Sequence, residues 1–199
     1  MPASLRTVLC IVILLAIAGC ATRKPPPEPV ATPKAESQAI PEEQIRDRFI
    51  IPGERVGPIT LHMPLRELIT AMGEPVSSTA SRLPGTGGRP ALLYRYADPE
   101  ASAEGGILVL VRENDETVYS VRIDRMESYQ TREGVRFGSS EALVRASYGK
   151  PQSVLRPQAD TPGMYCYLNG VAVEMDGTGS VQSITIFPGP DLRKICAPK

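Results

Sequence analysis

The chain has 199 residues, with 22 Lys and Arg against 22 Asp and Glu, one His, no Trp and four Cys. Zero formal net charge without a basic run argues against nucleic acid as a partner, and a lone imidazole, His62, leaves little for histidine catalysis or a zinc cage. Pro and Gly together make 37 residues, about 19% against an average near 12%, which signals a linker, many turns, or both.

Residues 1–19 read as an export signal. Arg6 supplies a positive start and Val8 to Ala18 is a continuous apolar run. As a helix the run rises only about 16 Å, too short for a hydrocarbon core of roughly 30 Å. It ends Ile17-Ala18-Gly19-Cys20, which resembles the lipobox of bacterial lipoproteins, with small residues before a cysteine. The resemblance implies that Cys20 carries a diacylglycerol and becomes the acylated first residue of the mature chain, an expected palmitate-type anchor in a membrane. An ordinary signal peptide with an incidental cysteine is the alternative. Several acyl chains, each buried methylene contributing about 0.8 kcal/mol, hold a protein on a membrane far more firmly than one chain does. Ala21 rather than Asp follows Cys20. In a Gram-negative host that implies the outer membrane, with the protein facing the periplasm.

Residues 20–48 are the lipidated cysteine and a linker. Pro25, Pro26, Pro27, Pro29, Pro33 and Pro41 fall here, and its charges balance. Without apolar periodicity the segment cannot bury enough surface to offset the entropy of ordering. Residues 21–48 would reach roughly 30 Å as a coil and up to about 85 Å as polyproline II. A spacer is the reading, with a proline-motif ligand as the alternative. A short helix is expected at Pro41–Phe49.

The remainder repeats itself at an offset of 76 residues. Laying Gly73 on Gly149 puts Leu61 on Phe137, Leu68 on Val144, Met72 on Tyr148 and Pro75 on Pro151. Leu65, Leu68, Ile69 and Met72 have helical spacing, Ser140 is a good N-cap, Pro64 is tolerated at a helix start, and each Gly-x-Pro stops a helix. Each helix is followed by runs with strand alternation: Leu92–Tyr96, Ile107–Val111 and Val118–Ile123, then Met164–Tyr167, Val171–Met175 and Val181–Phe187, with hairpin chemistry at Asn114-Asp115-Glu116 and Asp176-Gly177-Thr178-Gly179. The expected architecture is α+β: two tandem helix plus three-strand antiparallel repeats, residues 49–130 and 131–199, forming a two-layer sandwich with one curved sheet.

The helix-stop-strand pattern, Gly-x-Ser/Thr, nine residues to Gly-x-Pro, then Tyr-x-Tyr, resembles the SmpA/OmlA family of small outer-membrane lipoproteins, and its tandem form resembles the β-lactamase-inhibitory-protein fold. Residues 135–151 keep Gly138-Ser139-Ser140, whereas the first copy has His62-Met63-Pro64 and lacks the glycine. The family implies a role beside the machinery that assembles outer-membrane barrels, with a single unit where this chain has two.

Strand phase follows from the cost of burying an unpaired arginine. Arg95 is therefore expected to face away from the helices, with Tyr94, Tyr96, Tyr165, Tyr167, Leu108, Leu110, Val121 and Ile123 facing them. That phase leaves Arg95, Val109, Val111, Arg122 and Glu174 on a helix-free face, as a protein-binding patch of valines beside arginines. The alternative is that the linker, a loop or a partner copy covers it. The stretches 81–90 and 97–106 are expected as loops able to touch a partner.

Of the four cysteines, Cys166 and Cys196 remain once Cys10 leaves and Cys20 is lipidated. An even number in an oxidising compartment favours a disulfide, and a spacing of 30 is unlike Cys-x-x-Cys. Two free thiols or a redox pair is the alternative. No catalytic signature is present: no Gly-x-Ser-x-Gly, no Walker loop and no dinucleotide fingerprint. Asp98, Glu100 and Glu104 share a loop without EF-hand spacing, so no metal, cofactor or catalytic residue is assigned. The sequence thus reads as a non-enzymatic, lipid-anchored protein-binding module for cell-envelope assembly or maintenance, with an envelope protein as partner. A proteinaceous inhibitor of an envelope enzyme is the rival; a hydrolase or ligand-binding domain is disfavoured.

Overall fold

A computed structural model describes residues 48–84, 86–97, 105–156 and 163–196. The helices form where the apolar spacing is helical and stop where glycine and proline forbid more. Helix α1 (Leu65–Met72) begins after Pro64 and buries Leu68 completely. Helix α2 (Glu141–Tyr148) is capped by Ser140, whose side chain accepts from the Leu143 N–H, and buries Val144. Leu65, Met72 and Tyr148 extend each stripe against the core. The two helices end alike, at Gly73 with φ 77° and at Gly149 with φ 74°.

Each helix leads into four strands rather than three. Strands β4 (Ser77–Arg82), β5 (Pro90–Tyr96), β6 (Gly106–Arg112) and β7 (Val118–Asp124) follow α1. Strands β9 (Ser153–Leu155), β10 (Met164–Tyr167), β11 (Val171–Met175) and β12 (Val181–Ile186) follow α2. All eight form one sheet in the order β4-β5-β6-β7-β12-β11-β10-β9. Two meanders thus meet at β7 and β12, which pair antiparallel. A second, four-stranded sheet is built from β1 (Phe49–Ile51), β2 (Arg55–Val56), β3 (Ile59–Thr60) and β8 (Gln130–Thr131), in the order β3-β2-β1-β8.

The expected α+β sandwich of helix plus three-strand units is therefore corrected. The chain is mostly β, has two sheets and adds a fourth strand to each meander. The missing strands carry no period to read. β4 is Ser-Ser-Thr-Ala-Ser-Arg with its first four residues exposed, and β9 has three residues. Phe49 begins β1, so the helix expected at Pro41–Phe49 does not reach it; residues 41–47 lie outside the described residues. The stretch 81–90 is likewise no continuous loop, because Ser81 and Arg82 end β4 and Pro90 begins β5.

The main core lies between the helix-bearing face of the large sheet and the small sheet. Tyr94, Tyr96, Ile107, Val109, Val121, Ile123, Tyr165, Tyr167, Val173 and Ile184 face it from the sheet, and Ile50, Val56, Ile59 and Val135 are buried in the same cluster. Where the first turn of the chain meets the β10–β11 turn, backbones touch directly. A Cβ on Gly170 would fall 2.7 Å from Gly53 Cα and closer still to the Phe187 carbonyl oxygen, and both glycines have positive φ. No helix among the described residues is long and apolar enough to cross a membrane.

Candidate protein-binding face

The second face of the large sheet is set by register. Cross-strand partners share a face, so Arg95 opposite Leu108, Leu108 opposite Arg122, Arg122 opposite Thr185 and Thr185 opposite Ala172 form one row across four strand junctions. The adjacent row runs from Asp124 to Ser183 to Glu174. The expected phase of β6 is overturned. Tyr94 pairs with Val109 and Leu92 with Val111, which turns both valines into the main core at 0% and 1% exposure. Val109 and Val111 are therefore packing residues, and Leu108 and Leu110 stand on the second face instead. A strand that is apolar throughout, Ile-Leu-Val-Leu-Val, shows no alternation from which to choose.

The face is also not free of helices. A short 3₁₀ turn (Gly189–Asp191) and helix α3 (Leu192–Ile195) return the C-terminus across it. Cys166 and Cys196 are joined by a disulfide, 30 residues apart in sequence and 6.3 Å between Cα atoms. Both are buried with Ala172, Phe187 and Leu192 in a second apolar cluster. The Ser153 hydroxyl donates to the Cys196 carbonyl at 2.7 Å, which fastens the same segment to β9. A third cluster, Leu83, Ala91, Leu110 and Tyr119, lies on the β5–β7 side, and Ile195 packs against both clusters. Tyr119 occupies a bulge, for Leu110 pairs with Ser120 while Val111 pairs with Val118. The Arg112 guanidinium sits 4.9 Å from its ring centroid. Burial, with the negative charge of Asp191 next, pushes the Tyr119 hydroxyl far above its ordinary range.

A strip of half-buried charge crosses this face between the apolar clusters. Arg122 Nη2 lies 2.7 Å from Glu174 Oε2 and 3.8 Å from Asp124 Oδ1, and the Ser183 hydroxyl donates to Glu174 Oε2 at 2.9 Å. The Arg122 and Glu174 side chains remain 33% and 32% exposed, and the Arg122 Nε is shielded from solvent without a hydrogen-bond partner among the described residues. A partly hydrated pair contributes about 1 kcal/mol or less to stability. What the strip offers is fixed, directional charge: a guanidinium held by two carboxylates in a shallow, largely apolar setting, as the polar groups of protein interfaces are held. Arg95 lies in the same row, half-buried and engaged with a partner of its own.

Other expected residues fall elsewhere. Cys20 and the trio Asp98, Glu100 and Glu104 lie outside the described residues. His62 is exposed, with Nδ1 3.3 Å from Arg112 Nη1. A hollow of about 380 Å³ opens beside Tyr148 and Tyr167, with Glu133, Lys150, Gln152 and Asn169 around it. Tyr148 donates weakly to Glu133 at 3.5 Å, and burial pushes its hydroxyl up to about 12, so its phenol is neutral and a poor acid at ordinary pH. Among the described residues no group of three or more His, Cys, Asp or Glu side chains is placed to hold a metal ion. The sequence analysis missed Asp124, whose partnership with Arg122 emerges only from the β7–β12 register.

Fold and face together define a mostly β, disulfide-fastened domain whose large sheet packs on both sides. No family model matches the chain, and no curated protein matches it. Among solved structures it is similar to a cysteine-rich secretory protein from Staphylococcus aureus, at 13% identity and a TM-score of 0.46 over 71% of this chain, and spans about half of that protein, 49%. It is also similar to a DUF4309 family protein from Bacillus subtilis, at 14% identity and a TM-score of 0.45, covering 68% of this chain and 88% of the other.

Proposed function

We propose that this chain is a lipid-anchored, periplasm-facing protein-binding module of the bacterial cell envelope, working in outer-membrane assembly or maintenance. Lipid on Cys20 fixes its location, the proline-rich tether sets its reach, and the second sheet face holds a partner protein. The observation that carries the binding reading is the Arg122–Glu174–Asp124 strip, oriented charge set between apolar clusters and left partly open to solvent. The anchor rests on Ile17-Ala18-Gly19-Cys20 and on the unstructured composition that follows it.

Capture after crosslinking in living cells tests the reading. Arg95→Glu with Arg122→Glu is expected to reduce recovery of the partner at least tenfold while the purified variant keeps its native circular dichroism. Unchanged capture removes the second face from consideration. Recovery of an enzyme whose activity falls on binding would shift the reading to an inhibitor. Labelled fatty acid is expected to enter the wild-type chain and not Cys20→Ala.

A further inference from the structure

We propose that β4 is the pairing edge for a second copy of this chain, so that two large sheets join into one continuous antiparallel sheet. This goes beyond the partner-binding face and does not depend on it, because β4 lies at the sheet margin.

β4 ends the strand order, and its first four residues are exposed. Edges exposed in this way are ordinarily blunted by lysine, proline, a bulge or shortness. β4 has none of these: Ser77 to Arg82 pair with β5 in unbroken register, from Ser77 opposite Arg95 to Arg82 opposite Pro90. The opposite margin, β9, is only three residues long.

Hydrogen-bond parity identifies which groups look outward. The Leu83 N–H donates to the Arg89 carbonyl at 2.9 Å, so Leu83–Arg89 is a pair that exchanges hydrogen bonds. Alternation along an antiparallel ladder then turns Ser81, Thr79 and Ser77 toward β5, and turns the N–H and C=O of Ser78, Ala80 and Arg82 toward solvent. Pro90 opposite Arg82 fits, since that pair exchanges nothing.

This outward set is symmetric about Ala80. A two-fold axis there sets Ala80 against Ala80 of the second copy, Ser78 against Arg82 and Thr79 against Ser81. No like charges meet, no bulky side chain intrudes, and about six N–H···O bonds form across the join. A second copy matches this edge at every position, which singles it out over an arbitrary extended peptide. One edge is small beside a standard protein interface, so association is concentration-dependent.

The test uses the full chain in detergent with Cys10→Ser and Cys20→Ser, leaving one added thiol free. Ala80→Cys places two sulfurs on residues about 5.5 Å apart between Cα atoms, within disulfide reach. Ser77→Cys places them about 20 Å apart. Oxidation is expected to yield linked dimer from Ala80→Cys and at least tenfold less from Ser77→Cys. Ala80→Pro deletes one outward N–H per copy without touching the β4–β5 ladder, and is expected to weaken self-association in sedimentation at least tenfold. Equal yields from both cysteines, absence of dimer from Ala80→Cys, or unaltered association of a folded Ala80→Pro chain would each overturn the proposal. A chain that stays monomeric and instead takes up extended peptides along β4 would overturn it too.

Discussion

His62 and Gly138 occupy one backbone role in the two halves of the chain. φ is 66° at His62 and 77° at Gly138, and their N–H groups donate to Val118 and Val181 carbonyls, each at 2.8 Å. The neighbouring bonds match as well: Val118 N–H to Met63 O at 2.9 Å against Val181 N–H to Ser139 O at 2.8 Å. Replacing the repeat's glycine by histidine therefore left the conformation unchanged and placed an L side chain in the left-handed region.

That substitution carries strain, so His62→Gly is expected to stabilise the fold by about 0.5–1 kcal/mol. Gly138→His is expected to destabilise it by a similar amount, since no atom lies within 4 Å of a Cβ built there and only the backbone penalty remains. Urea midpoints of the two variants should move in opposite directions at constant slope.

Gly170 is a different case. A side chain there meets the Phe187 carbonyl, Gly53 Cα and Gly189 N at once, all backbone, with φ at 83°. Gly170→Ala is expected to lose about 3 kcal/mol or more. Gly177→Ala, with open space around it and no positive φ, is the control and should lie within about 0.5 kcal/mol of wild type.

Removing the Cys166–Cys196 bond opens a loop of 30 residues, for which loop-closure entropy gives about 3–4 kcal/mol. Cys166→Ala with Cys196→Ala is expected to lose this much in denaturant unfolding. Hydrogen exchange should then show the largest loss of protection over Leu192–Cys196, where the tail crosses the sheet.

Stability is expected to fall at both ends of the pH scale. Hydrogen bonds from Arg145 and then from the Tyr165 hydroxyl hold Glu141 below its ordinary range, and the Thr178 hydroxyl with the Ser180 backbone does the same for Asp176. Depressed carboxylates contribute fully above their unfolded pKa, and the contribution disappears as pH drops through the lower folded value. Glu141→Gln should flatten the acid limb of a stability–pH curve. Burial raises Tyr94, Tyr96, Tyr119, Tyr148 and Tyr167. An unfolded chain releases those phenolic protons near pH 10 while the fold retains them, so stability declines from about pH 10 upward. Tyr148→Phe, which removes a group raised to about 12, should shallow that alkaline limb.

How far the sequence could be read depended on what carries a period. Leu65, Leu68 and Met72 announce α1, and Ser140 announces the start of α2, because helical spacing and capping are local. The tyrosine-rich strands β5 and β10 alternate and were legible in phase. β6 was not, since Ile107 to Val111 is apolar at every position and only its register with β5 decides which residues turn inward. β4 and β9 lack apolar alternation, and β1, β2, β3 and β8 are too short for any pattern, so the small sheet and the fourth strand of each meander left no trace. The charged strip was half visible: Arg122 and Glu174 stood out by type, whereas their contact depends on β11 and β12 lying beside β7 across some 60 residues of chain. The tail over the second face was foreshadowed by its cysteine and by nothing else.

The seam between β7 and β12 makes the order of synthesis a variable in the life of this protein. Everything from β4 to β7 pairs with its immediate neighbour in sequence and can form as soon as it is made, as local contacts fold early. The outer ladder of β7 is then an open margin from Val121 to Asp124 until Val181–Ile186 arrives to close it. During that interval the half-made sheet is adhesive, and β12 of any other chain fits the gap as well as its own does. Completion of the last strand, rather than burial of the first helix, is what turns the nascent chain from a sticky intermediate into a self-contained molecule.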